Sequence, residues 1–216
     1  MKKKMLELFA GTRTVSKAFE ELGYETFSID SDKSHPDIDW YEDILNITSE
    51  DIIERFGHPD VIWASPPCTT YSPLGFRWHR KTVNGEVIPT SEFAVISDMI
   101  MEHTRKLIEE LNPKYFYIEN PKSYLRNAGF FDGIPRYTVT YCQYGESNMK
   151  PTDIWTNHPN PNFKPPCSRG SDCHTRATTG MLTGTQAVRG SKTKSKIPDQ
   201  LAKHVAEVSD YETSID

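Results

Sequence analysis

Three short stretches of this sequence pair chemically competent side chains with backbone constraints that aim them. Ser65-Pro66-Pro67-Cys68-Thr69 places a cysteine after two prolines. Their fixed φ angles stiffen the approach to a thiol that, once ionised, is a nucleophile. Ile118-Glu119-Asn120-Pro121 sets a carboxyl at the end of an apolar run, where burial would raise its pKa and let it donate a proton. Phe9-Ala10-Gly11-Thr12-Arg13 follows the apolar run from Met5 and precedes Val15, Ala18, Phe19 and Leu22 at helical spacing, with Asp30 further on. A strand, a turn, a helix and an acid about 20 residues later is the layout of a nucleotide-type cofactor site, the acid accepting from ribose hydroxyls. Bringing backbone against a pyrophosphate takes three glycines, and only Gly11 is present. The turn therefore suits a ligand with ribose and adenine but no phosphate, such as S-adenosylmethionine. Each stretch alone also has a plainer reading: a buried structural cysteine, a helix-capping carboxylate, an ordinary strand-to-helix turn.

A fourth group is Cys167, Cys173 and His174, ligand types for zinc with His158 or Cys142 as the fourth. The Cys-x5-Cys-His spacing is not that of a standard finger, and free surface cysteines are the alternative. A loop-rich segment with little core of its own would benefit from a metal staple.

The elements that must position these residues alternate. Strands are expected at Met5–Phe9, Tyr24–Ile29, Asp60–Ala64, Lys114–Ile118, Arg136–Tyr144 and Asp153–Thr156. Helices are expected from Val15 to Leu22, Ser49 to Phe56, Glu92 to Leu111 and Ile197 to Val208, with a loop from Cys68 to the third of these. That alternation predicts an α/β fold, a Rossmann-like, mostly parallel sheet with helices on both faces. Gly11, Asp30, Cys68 and Glu119 then all lie at carboxyl ends of strands, where such sheets bind ligands.

With 216 residues, 36% of them hydrophobic, the chain can bury a substantial core and is not disordered throughout. The basic start Met1-Lys2-Lys3-Lys4 leads into a run broken by Glu7, a poor signal peptide. No stretch is long and apolar enough to span a membrane, and four irregularly spaced cysteines do not suggest a disulfide framework. A reduced, cytoplasmic protein, a monomer without membrane attachment, is expected. The net charge of −5 is unevenly spread: from Ile154 to Pro198 seven Lys or Arg face one acid, Asp172. An acidic body with a basic appendage suits an anionic partner. Residues 158–196, rich in Pro, Gly, Ser and Thr, read as a small loop-built insertion between 1–157 and 197–216.

Taken together and in order, these motifs resemble the cytosine-5 DNA methyltransferase family, over residues 4–157 and 196–208. Phe9-Ala10-Gly11 matches the family's cofactor turn, Asp30 its ribose-binding acid, and Asp43-Ile44 the element that contacts adenine. Pro67-Cys68 matches the catalytic Pro-Cys, followed by Tyr71-Ser72, and Glu119-Asn120 matches the Glu-Asn of the catalytic glutamate motif. Tyr144-Gly145 matches a later element, and Ile197-Pro198 with Leu201-Ala202 the closing helix. Thr12-Arg13-Thr14 stands where further glycines are usual. Asn148-Met149-Lys150-Pro151-Thr152 stands where the family carries a Gln-x-Arg-x-Arg element, leaving Lys150 as its only charge. The target-recognition region is reduced to about residues 158–196, as in compact phage and prophage versions.

The resemblance implies S-adenosylmethionine as cofactor, held by Phe9, Ala10, Gly11, Thr12, Asp30, Asp43, Ile44 and Pro67. It implies DNA as partner and methyl transfer to carbon 5 of a flipped cytosine, with Cys68 adding covalently to C6, Glu119 at N3, and Asn120 orienting the turn. Arg77, Arg80, Lys81, Lys150, Arg189, Lys192, Lys194 and Lys196 are the candidate DNA contacts. The missing arginines leave two rivals: a catalytically weak DNA-binding protein of the same fold, and a methyltransferase acting on another cytosine-containing substrate. A nicotinamide-dependent oxidoreductase, a third reading, is disfavoured by the single-glycine turn and the Pro-Pro-Cys.

Overall fold

The computed structural model describes residues 2–175 and 196–213. Seven strands build one sheet: β1 (Lys4–Leu8), β2 (Glu25–Asp30), β3 (Trp40–Tyr41), β4 (Val61–Ala64), β7 (Tyr115–Pro121), β8 (Arg136–Thr140) and β9 (Pro151–Thr156). Their spatial order is β3-β2-β1-β4-β7-β9-β8. The first five run parallel, and β9 is antiparallel to both neighbours.

The sheet is covered on both faces, and the alternation of side chains along each strand divides the core in two. On one face Met5, Val61, Trp63, Tyr115 and Tyr117 pack against Val15 and Phe19 of α1 (Thr14–Glu21) and Leu201, Ala202 and Val205 of α5 (Asp199–Thr213). On the other, Leu6, Leu8, Ile62 and Ile118 pack against Ile52 of α2 (Ser49–Arg55) and Met101, Leu107, Ile108 and Leu111 of α4 (Glu92–Leu111). The α2 start is a full capping box of Thr48 and Asp51. Helix α4 starts where the Ser91 side chain accepts from the Ala94 N–H and stops at left-handed Asn112, before Pro113.

Two segments depart from the sequence expectation. The stretch expected as a loop before Glu92 contains a short helix, α3 (Pro73–His79), and an antiparallel hairpin, β5 (Arg80–Val83) with β6 (Glu86–Pro89). Both have local causes. Ser72 caps α3 with Pro73 as its first residue, and Asn84-Gly85, both at positive φ, make the hairpin turn. The strand expected over 136–144 ends at Thr140, and Tyr141–Tyr144 wind into a 3-10 turn closed by left-handed Gly145.

Candidate active site

Strands β4 and β7 are paired neighbours, with Ala64 beside Ile118. Their carboxyl ends therefore bring the Pro-Pro-Cys loop and Glu119-Asn120 to one place. Asn120 is fully buried and donates from Nδ2 to the Pro66 carbonyl at 2.9 Å, which fixes the backbone just before Cys68. Its Oδ1 is buried and has no hydrogen-bond partner among the described residues. On the other side of the loop, the amides of Tyr71 and Ser72 donate to the Cys68 carbonyl at 3.1 and 3.0 Å.

Glu119 is 5% exposed and accepts from the Tyr141 hydroxyl at 2.8 Å. The Lys150 ammonium lies 4.0 Å from the same carboxylate oxygen and 4.3 Å from the centre of the Tyr141 ring. Lys150 reaches this position from a strained left-handed backbone, φ 25. Burial pushes the Cys68 thiol up from its ordinary value, the Glu119 carboxylate pushes the same way, and Lys150 pulls it down. Burial, with the Glu119 carboxylate adding to it, holds the Tyr141 hydroxyl far above its ordinary value, so it remains a donor. The arrangement is a resting thiol beside a dry carboxylate, with one cation able to favour the thiolate.

The cofactor-type turn sits at the end of β1. Phe9, Gly11 and Arg13 all have positive φ, folding the chain back so that the Gly11 N–H donates to Asp30 Oδ2 at 2.8 Å. Asp30 Oδ1 accepts from the Asp32 N–H at 2.8 Å; each carboxylate oxygen keeps a lone pair for a hydroxyl donor. Ala10 is buried and Thr12 exposed, Thr12 bonding Thr14 side chain to side chain. Arg13 turns its guanidinium to Glu20 at 2.8 Å. Two donors that a phosphate would use here, the Gly11 amide and the Arg13 guanidinium, are thus engaged within the chain, and a phosphate-free adenosyl group fits this arrangement. Asp43 is exposed and caps the 3-10 turn Ile44–Asn46 through the Leu45 N–H. Ile44 is buried in the core, its side chain committed to packing.

Other sequence-expected residues divide by burial. Pro66 is buried, and Pro67 faces solvent beside Cys68. Arg77 and Lys81 are exposed on α3 and β5. Arg80, expected with them to neutralise phosphates, is instead 3% exposed: its guanidinium pairs with Asp98 at 2.6 Å, donates to Thr70 and the Ala94 carbonyl, and lies 3.7 Å over the Tyr71 ring. The Tyr71 hydroxyl also donates to Asp98. A buried guanidinium neutralised in this way is a strut between the Cys68 loop and α4 and is withdrawn from any external anion. Lys196 pairs with Asp199 at 3.2 Å. Arg189, Lys192 and Lys194 lie outside the described residues.

The metal-type cluster closes with Cys142. The ligand atoms of Cys142, Cys167, Cys173 and His174 lie within 4.8 Å of one another. His158 is not part of the group; its ring packs 4.4 Å from that of Tyr115, and Nε2 faces the Val208 carbonyl.

Tyr141 and Asp98 escaped the sequence reading, and so did three further supporting residues. Glu7, which looked like a mere interruption of an apolar run, is 2% exposed and accepts from the Ser16 amide at 2.7 Å and from its hydroxyl. It ties β1 to the start of α1, and so braces both ends of the cofactor turn. Arg126 holds fully buried Asp153 on β9 with both carboxylate oxygens engaged. Gly75 lets α3 approach the loop: a Cβ there would stand 1.9 Å from the Thr69 carbonyl oxygen. A period-2 break in a strand was the only available signal for Glu7; Arg126 and Gly75 had none.

Residues 3–128 match the family model described as C-5 cytosine-specific DNA methylase. A probable DNA (cytosine-5)-methyltransferase of Frog virus 3 (isolate Goorha) is 31% identical over 163 residues, 71% of this chain and 70% of that protein. Among solved structures, the Entamoeba histolytica methyltransferase EhMeth superposes with a TM-score of 0.50 at 14% identity, over 72% of this chain and 52% of its own. A DNMT2 mutant from Spodoptera frugiperda gives 0.45 at 22% identity, over 76% and 53%. This chain spans about half the length of these solved structures. The likeness to EhMeth is one of fold.

Proposed function

The chain belongs to the C-5 cytosine-specific DNA methylase family, and from that membership we propose that it transfers a methyl group from S-adenosylmethionine to carbon 5 of cytosine in DNA through a covalent adduct on Cys68. The observation that carries this reading is the convergence of Cys68, Glu119, Tyr141 and Lys150 at the ends of two paired parallel strands.

The turn 9–13, with Asp30 and Asp43, would hold the cofactor, Asp30 accepting from its ribose hydroxyls. The bound cofactor supplies an electrophilic sulfonium methyl group. The work of this chain is to make C5 of the base nucleophilic. Cys68 Sγ, as thiolate, bonds to C6, and the ring electrons move to C5 while Glu119, in its protonated form, donates from Oε2 to N3. Tyr141 occupies Oε1 of Glu119 and so leaves Oε2 for the base. After C5 has taken the methyl group, its proton leaves to a base, the C6–S bond breaks, and Cys68 is regenerated. The resting thiol must first ionise. Lys150 favours that step electrostatically, a contribution from the position where the family's arginine element is missing.

Both reacting groups are recessed, Glu119 nearly completely, so a base stacked in a duplex is out of reach and must be flipped. Arg77 and Lys81 are exposed on α3 and β5, the elements that follow the Cys68 loop in the chain, and would meet phosphates. Arg80 has no part in this.

DNA containing 5-fluorocytosine tests the proposal, since fluorine cannot leave as a proton and the adduct is trapped. With S-adenosylmethionine, the parent protein should give a DNA adduct stable on a denaturing gel, and Cys68→Ala none. An adduct that persists in Cys68→Ala, or its absence in the parent despite DNA and cofactor binding, refutes the assignment.

A further inference from the structure

Between the sheet and the basic stretch that resumes at Arg176 in sequence, the chain has little regular structure: from Asn157 to Thr175 no residue is helical or paired as a strand. It is nevertheless wrapped closely round the 140–147 turn. The Lys164 amide donates to the Tyr144 hydroxyl at 2.9 Å, the Cys167 amide to Thr140 Oγ1 at 3.0 Å, and the Thr175 amide to the Ser147 carbonyl at 2.7 Å. In the middle of this wrap three thiols and an imidazole converge.

We propose that Cys142, Cys167, Cys173 and His174 form a tetrahedral structural zinc site that clamps the 167–174 loop onto the Tyr141–Tyr144 turn. The distances carry the argument. Zinc binds thiolate at about 2.3 Å and imidazole at about 2.0–2.1 Å, so a regular tetrahedron has S···S edges near 3.8 Å and S···N edges near 3.5 Å. Here Cys142 and Cys173 Sγ are 3.7 Å apart, and His174 Nδ1 is 3.6 Å from Cys167 Sγ and 3.5 Å from Cys173 Sγ. The Cys142 to Cys167 edge is 3.1 Å, shorter than the ideal edge and well beyond a bonded S–S distance of about 2.05 Å. A disulfide needs two sulfurs and no histidine; this arrangement converges three on one ring nitrogen.

The site is also built from inside. Cys142 and His174 are 9% and 7% exposed, and Cys167 is half-buried. Ligands from two separated segments close the loop, and the loop lacks an apolar core of its own that would do this otherwise. Binding replaces three thiol protons, released to solvent, by one dication. With Nδ1 on the metal, the ring proton sits on Nε2, and the 3.3 Å approach of the Gly170 N–H gives way.

The clamp has a second consequence. Tyr141, the residue before Cys142, is the hydrogen-bond donor to Glu119. Zinc at this point therefore holds still the turn that carries the carboxylate's partner, and fixes the chain just before Arg176, where the basic stretch resumes in sequence. The site does not depend on the proposed activity.

The full chain, purified under reducing conditions without chelator, should contain about one zinc per molecule by elemental analysis. After removal of zinc, titration with cobalt(II) should give a sulfur-to-cobalt charge-transfer band and the strong visible bands of tetrahedral coordination, saturating at one equivalent. Cys173→Ser, at the most exposed ligand, should keep the fold by circular dichroism and weaken metal retention at least tenfold. In the parent, chelation should speed trypsin cleavage at exposed Arg169. Overturning results are a reduced, folded parent that takes up neither metal, a cobalt spectrum without thiolate bands, unchanged metal retention in Cys173→Ser, or a Cys142–Cys167 disulfide in the reduced preparation.

Discussion

Glu7→Gln isolates a carboxyl that is buried beneath the cofactor turn. Burial raises its pKa from the ordinary 4.5 to about 7, outweighing the Ser16 hydrogen bonds and the Arg13 charge that act the other way. A value raised on folding means that the native state prefers the protonated acid. The stability linked to it is complete below pH 4.5 and is lost as pH rises to 7. At about 1.4 kcal/mol per tenfold change in proton affinity, the full loss is roughly 3 kcal/mol. Glutamine is nearly isosteric, can still accept from Ser16, and does not titrate. Relative to Glu7→Gln, the parent should therefore lose about 2–3 kcal/mol between pH 5 and pH 8. At an m-value of about 3 kcal/mol per molar, that is a change on the order of 1 M in the difference between their urea midpoints. Urea unfolding of both proteins at the two pH values, followed by tryptophan fluorescence, measures it. A midpoint difference that is equal at pH 5 and pH 8 would refute the reasoning, as would a parent relatively more stable at pH 8.

Lys150→Met should move the onset of Cys68 alkylation by iodoacetamide to higher pH, because the cation that favours the thiolate is gone; an unmoved onset would show that Lys150 does not act on the thiol. Gly75→Ala must displace α3 from the Thr69 carbonyl, a local strain of about 1–3 kcal/mol. Turnover should drop at least tenfold while calorimetry shows unchanged S-adenosylmethionine binding, and normal turnover would mean that α3 is not held against the loop. Asp30→Ala should weaken S-adenosylmethionine binding by about 1.5–3 kcal/mol, the scale of hydrogen bonds to a charged group, and calorimetry finding equal affinity would move the ribose elsewhere. Glu119→Gln should lower the methylation rate by roughly 10²–10⁴ with the fold intact; near-normal rates would reduce Glu119 to a structural role.

Much of this protein is legible in one dimension because its causes are local. The span of α4 follows from a serine cap, an apolar face at helical spacing and an asparagine stop. The buried strands are short apolar runs ended by chemistry, and a strand followed by a helix dictates a parallel neighbour and puts Gly11, Asp30, Cys68 and Glu119 at one edge of the sheet. The hairpin at Asn84-Gly85 also has a local cause in two positive-φ residues, but the segment's charge and glycines read as a loop. What one dimension does not contain is who meets whom. Arg77, Arg80 and Lys81 are alike as sequence, yet only Arg80 points inward, because Asp98 of α4 and the Tyr71 ring wait there to neutralise and cover it. Cys142 and His158 are equally available as a fourth ligand by spacing; the turn after β8 carries the cysteine to the cluster, while His158 packs against Tyr115. Lys150 reaches Glu119 only through a left-handed backbone at the start of β9. Periodicity and capping act over a few residues and are written in the chain; charge pairing, ligand convergence and desolvation depend on distances between segments that only the packed sheet sets.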